Sequence, residues 1–195
     1  MNLFSVPSLL TMVHGLVLSG GAIVGLVVSL LALRWFAQPA GVAGAAHAGG
    51  GLSAVHADSG LVGARAGDRF AQVTTVTAVL LWLAVLGGTY LVFPLYREAP
   101  PEGVTALADY PRAMLMANPD TRWLHAFGME VKEHVPWVAA MLTTATAFVA
   151  RRHRHTVLAD GRMRRVMASL LVISLALVSF VGLMGVFVNK VAPLD

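Results

Sequence analysis

Four apolar stretches, each close to the ~20 residues needed to cross the hydrocarbon core of a bilayer, dominate this chain of 195 residues. They run from about Leu9 to Leu33, Phe70 to Leu95, Trp123 to Ala150 and Val166 to Val188. In lipid, backbone polar groups must be satisfied inside a helix or a closed barrel, and uninterrupted apolar runs of this length lack the alternation of barrel strands. The expected fold is all-α, a single membrane domain over 1–195 built as a four-transmembrane-helix bundle. Only 12% of the residues are charged, about half the ~25% of an ordinary soluble domain, and no segment remains for a separate soluble catalytic unit.

Charge placement sets the expected orientation. Between the third and fourth stretches stand Arg151, Arg152, Arg154, Arg162, Arg164 and Arg165 against Asp160 alone, which assigns that loop to the cytoplasm. Arg34, Arg65 and Arg69 put the first loop on the same side. In the second loop Arg97, Arg112 and Arg122 are offset by Glu98, Glu102, Asp109 and Asp120, as expected of an outer loop. Both termini then lie outside (N-out, C-out). The +4 net charge reports this topology and not a nucleic-acid partner. MNLFSVPSLL has no basic n-region and does not read as a cleaved signal peptide. Twelve Arg against two Lys, with abundant Ala and Gly, fit a GC-rich bacterial genome and so a bacterial inner-membrane protein.

The two longer loops differ in composition. The first, 38–67, is rich in Gly and Ala and is expected to be a flexible linker, leaving His47 and His56 solvent-facing and idle, as are His153 and His155 on the basic side. The outer loop, 97–121, holds Pro100, Pro101, Pro111 and Pro119 around the apolar run Ala113–Ala117, and is expected to form an ordered cap. Tyr90, Tyr96, Tyr110 and Trp123 fit an interfacial aromatic belt. Gly21 and Gly25, with Gly15 and Ser19, and Ser174, Gly182 and Gly185 on the fourth stretch, read as seams where helices approach closely.

The absence of cysteine excludes disulfides, iron–sulfur clusters, covalent c-type haem and thiolate metal ligands. Chemistry must come from His, Glu, Asp, Tyr, Lys or Met. Counting about 20 residues outward from Arg34, Arg69, Arg151 and Arg165 reaches His14, Thr89–Tyr90, Val131 and Gly185. The strongly polar side chains therefore gather at the outer level, and the cytoplasmic half is expected to be apolar and inert. The third stretch carries most of them, in W-L-H-A-F-G-M-E-V-K-E-H-V-P-W, with Asp120 as the expected N-cap and Pro136 as the expected kink. Glu130 and His134, four apart, share a helix face, as do His125 and Lys132, seven apart.

Four readings of this cluster follow. Glu130 and His134 with His14 could ligate a metal. His14 and His134 could be the axial ligands of a haem b. His14 and His134 with Tyr90 and Lys132 could form a protonatable, hydrogen-bonding pocket for a quinone headgroup. Or the run only solvates a helix end. No P-loop, HExxH, nucleophile elbow or dinucleotide fingerprint occurs, so no enzyme class is assigned. The expected function is that of a small subunit of a bacterial respiratory or redox system, with an outer-face His/Glu/Tyr site. Its partners are the lipid bilayer and a membrane or periplasmic subunit, or a second copy of itself. The alternative is a non-catalytic anchor or assembly subunit that docks a periplasmic partner.

Overall fold

The computed structural model describes residues 5–35 and 52–194, which are helical and contain no strand. The chain runs as α1 (Val6–Met12), a π-helical stretch (Val13–Ser19) and α2 (Gly20–Trp35), then α3 (Leu52–Gly87), a second π stretch (Gly88–Val92) and α4 (Phe93–Tyr96). After a short α5 (Pro111–Ala117) come a third π stretch (Leu124–Gly128), α6 (Met129–Arg152) and α7 (Gly161–Val191). The π stretches interrupt nothing, so these elements form four long rods. Each rod packs against the next in chain order, and α7 closes the ring on α2.

Three helices are long and apolar enough to cross a membrane: Val6–Arg34, Arg65–Tyr96 and Gly161–Val191. They suit a lipid bilayer, and their outward faces are apolar, with Leu16, Val24, Val76 and Val186 each more than half exposed. α6 is shorter and less apolar, because Glu130, Lys132 and Glu133 fill its first turn and Thr143, Thr144 and Thr146 its middle.

Local chemistry explains the helix ends. Ser5 caps α1 by accepting the Ser8 N–H at 3.1 Å, and Asp160 caps α7 by accepting from Arg162 and Met163 at 2.7 and 3.1 Å. Pro94 brings no N–H to the rod, and the second π stretch lies directly before it. In the first, the Ser19 hydroxyl donates to the His14 carbonyl at 2.9 Å, five residues back, matching the wider π register.

Two expectations for the loops change. Residues 52–67 are not linker but the first turns of α3, since Ala and Leu favour a helix once the span nucleates it. His56 is therefore on a helix, whereas His47 and residues 36–51 lie outside the described residues. Asp120 caps nothing. Asn118 organises that turn instead, its side-chain oxygen accepting the Asp120 N–H at 2.9 Å. The Pro-rich segment does order itself over one end of the bundle. Pro111 and Leu115 of α5 are buried there, Leu115 in a cluster with Tyr96, Leu124, Met129, Val188 and Ala192. The opposite end carries nine of the twelve arginines.

The glycine seams divide. Gly25 faces Thr77 so closely that a Cβ would collide with its side chain, and Gly21 faces Leu80, so this pair does seat α2 on α3. Gly185 faces Lys132, whereas Gly15 and Gly182 have open space beside them.

Candidate functional site

The α5 end holds the candidate site residues His14, Glu130, Lys132 and His134, and packing sorts them into an inner and an outer set. His14, in the first π stretch, turns its ring onto the second rod, near the Ala84 carbonyl and against Gly88. A Cβ on Gly88 would come within 2.7 Å of His14 Cε1 and 3.2 Å of Nε2, so the ring is seated where only glycine leaves room. Its Nδ1 is buried and has no hydrogen-bond partner. The charged group that bears on it is Lys132, whose Nζ sits 3.7 Å from where a Cβ on Gly185 would be. Among the described residues Lys132 makes no ion pair; the two that occur are Glu130–His134 and Asp68–Arg154. The His14 ring thus lies against the second rod and the Lys132 ammonium beside Gly185 of the fourth, and among the described residues neither is paired with a carboxylate.

Glu130 and His134 point elsewhere. Each lies two residues from Lys132, which on an α-helix is roughly 200° around the axis. Both side chains are more than 70% exposed, with His134 Nδ1 3.5 Å from Glu130 Oε2 and 3.0 Å from the Glu130 carbonyl oxygen. The expected shared face exists, but it is the outward one. Among the described residues no three His, Asp or Glu side chains stand close enough to hold a metal ion. The set His14, Glu130 and His134 is therefore not assembled, and the same rotation sets His134 apart from His14.

Beside the His14 seat an apolar groove of about 480 Å³ opens between the first and second rods, lined by Leu18, Leu83, Leu86, Gly87, Tyr90 and Leu91. Gly87 adjoins Gly88 in the chain, and Leu18 is one turn along from His14. Tyr90 is two-thirds exposed and forms its rim.

A second polar pair was not foreseen. Tyr96, expected at the lipid interface, is instead 4% exposed, and its hydroxyl hydrogen-bonds His125 Nδ1 at 2.8 Å. Phe93 stacks on Tyr96, and the Arg97 guanidinium lies over the Phe93 ring at 5.4 Å. This pair pins the end of the second rod to the start of the third, under α5. The spacing of His125 and Lys132 put them on one helix face, without saying which way it turns; nothing in the sequence marked Tyr96 as the partner.

Each of the three π stretches carries a piece of this end: His14 in the first, Gly88 and Tyr90 in the second, His125 in the third. π turns recur at functional sites because they re-aim side chains that a regular helix would place elsewhere. No family model, curated protein or solved structure matches the chain.

Proposed function

We propose that this chain is a small subunit of a bacterial respiratory or redox system that binds a lipid-soluble quinone at the outer end of a four-span bundle. The observation that carries the reading is the buried, unpartnered His14 Nδ1, at the end of the bundle that also holds Lys132 and an apolar groove lined by Leu18 and Gly87. Lys132 can only donate, and neutral imidazole donates from one nitrogen and accepts at the other. Such a pair fits a ligand with carbonyl oxygens whose oxygens also take up and release protons. The groove fits an isoprenoid tail entering from the lipid. His14 and Lys132 would hold a quinone oxygen by hydrogen bonds, and His14 would take up or deliver its proton. Electrons would come from a redox partner.

The fourth span in this reading is α6, which exposes Val138, Met141 and Phe148 as the other rods expose their apolar faces. The arginine end is cytoplasmic and both termini are outside, in the bacterial inner membrane. The exposed Glu130, Glu133 and His134 favour a partner docking on the outer face, which is also what a pure anchor subunit would need.

The test is binding of a short-tailed quinone to the purified full-length protein, with an optical spectrum of the same sample. His14→Phe and Lys132→Met should each weaken binding by about tenfold to a hundredfold, the loss of one hydrogen bond to a charged or polarised group. His134→Ala should leave it unchanged. A Soret band would replace the quinone with haem b. A colourless protein that binds no quinone leaves the anchor reading.

A further inference from the structure

The half of the bundle nearer the arginines is not uniformly apolar, contrary to expectation. Ser29 on α2, Thr74 and Thr77 on α3, Thr143 and Thr146 on α6 and Ser174 on α7 are at most 1% exposed, so all face the interior. They lie five to nine residues from Arg34, Arg69, Arg151 and Arg165 on their own rods. At 1.5 Å per residue that is one level, about 7–14 Å in from the arginines. Four rods deliver hydroxyls to it independently.

Five of the six spend their hydrogen on their own helix. Ser29 donates to the Gly25 carbonyl at 2.7 Å, Thr74 to Phe70 at 2.9 Å, Thr77 to Val73 at 2.8 Å, Thr143 to Ala139 at 2.8 Å and Thr146 to Leu142 at 2.9 Å. A hydroxyl has one hydrogen and two lone pairs, so these oxygens remain as acceptors. Ser174 differs: its Oγ is buried and has no partner at all. The layer is thus rich in lone pairs and short of donors, with one hydroxyl still unsatisfied inside it.

We infer that this layer binds an ordered water molecule on Ser174 Oγ. The water accepts the Ser174 hydrogen and donates to hydroxyl oxygens at the same depth, Thr143 on the adjoining rod first. Thr143 is eight residues from Arg151, as Ser174 is nine from Arg165, and α6 packs along α7. Buried waters serve this purpose, joining polar groups that the chain alone leaves unpaired. A small cation would also be drawn to such oxygens. The rods carry no carboxylate at this depth to offset its charge, so the neutral ligand is favoured. The inner hydration site is separated from the His14 seat by an apolar belt that includes Ala22, Leu81, Ala139 and Val178.

Thermal unfolding of the full-length protein in detergent tests this with Ser174→Ala, Thr143→Val and the double variant. Each single variant should lower Tm by about 2–4 °C, the effect of losing one buried hydrogen bond in a chain of this size. The double variant should fall no further than the worse single, because both remove the same bridge. A Tm that holds or rises in Ser174→Ala would show an orphan hydroxyl and overturn the inference, as would additive losses. A Tm that rises when sodium replaces choline at equal ionic strength would assign a cation instead of water. A density map that resolves ordered waters should show one within hydrogen-bond distance of Ser174 Oγ, and a dry Ser174 in such a map would refute the inference whatever the variants do.

Discussion

Lys132 is held beside Gly185 without an acid to balance it, and an unpaired ammonium between packed helices is costly. The seat of His14 is sensitive to one methyl group for a steric reason. In Gly88→Ala the new Cβ would press on the imidazole at 2.7 Å, inside van der Waals contact, so the ring must rotate away. Quinone binding should weaken by at least tenfold, with His14→Phe adding little to it, because both remove the same seat. Equal binding in Gly88→Ala and the parent would mean that the ligand does not use His14. The Tyr96–His125 bond makes a separate prediction. Tyr96→Phe removes only the hydroxyl, so unfolding should show a loss of about 0.5–1.5 kcal/mol, with quinone affinity unchanged. His14 and Lys132 could be singled out in the sequence, because an ionisable side chain on an apolar helix stands out. Their neighbours could not. Which face of α6 turns inward is set by packing with α3 and α7, and Glu130, Lys132 and His134 read alike until that rotation is known.

At the scale of elements, apolar length was the readable signal, and the rods follow it. The failures were at places where composition and conformation part. The stretch 52–67 has a linker's Gly and Ala content, yet it continues a helix that the span downstream has already nucleated. The π stretches left no readable mark, since Gly15, Ser19 and Pro94 are equally at home in regular membrane helices. The cap of α7 is a local device with a definite pH signature. The N–H groups of Met163 and Arg162 hold the Asp160 carboxyl below the ordinary value of 3.8. A carboxyl depressed in the folded state stabilises it above the unfolded value and loses that contribution as pH falls through the folded one. Asp160→Ala should therefore lower Tm slightly at about pH 5 and above, and the gap to the parent should close as the medium is acidified below 3.8. Asp160→Asn keeps an acceptor oxygen but cannot titrate, so its own Tm should lack this acid-dependent component. A gap in Asp160→Ala that stays constant down to the acid limit would show that the N–H bonds do not distinguish the two protonation states.

For the whole molecule the decisive question is which end faces the cytoplasm. The two ends differ in kind. One presents Arg34, Arg65, Arg69, Arg151, Arg152, Arg154, Arg162, Arg164 and Arg165; the other interleaves Arg97, Arg112 and Arg122 with acids and is covered by α5. At the first end Asp68 meets Arg154 at 3.5 Å and the Arg154 carbonyl packs against Gly67, where a Cβ would overlap it. The connection between α6 and α7 is thus locked to the start of the second span, and both must lie on one side. Retention of arginine-rich short loops in the cytoplasm predicts that this side is the inner one. Because the chain has no cysteine, single cysteines report its topology without background. Ala108 and Ala159 are exposed, one in each of the two connections at issue. In right-side-out vesicles a membrane-impermeant maleimide should label Ala108→Cys and spare Ala159→Cys until detergent is added. Labelling of Ala159→Cys alone would invert the bundle and move the His14 seat to the cytoplasmic face. Labelling of both would place α6 outside the bilayer as a helix that does not span, leaving three crossings. The inverted pattern would deny a quinone at His14 proton exchange with the outer side, whereas the first allows it. On that pattern the hydroxyl layer and its water fall in the inner half, beyond the apolar belt, so the bundle is wettable from both faces and sealed between them.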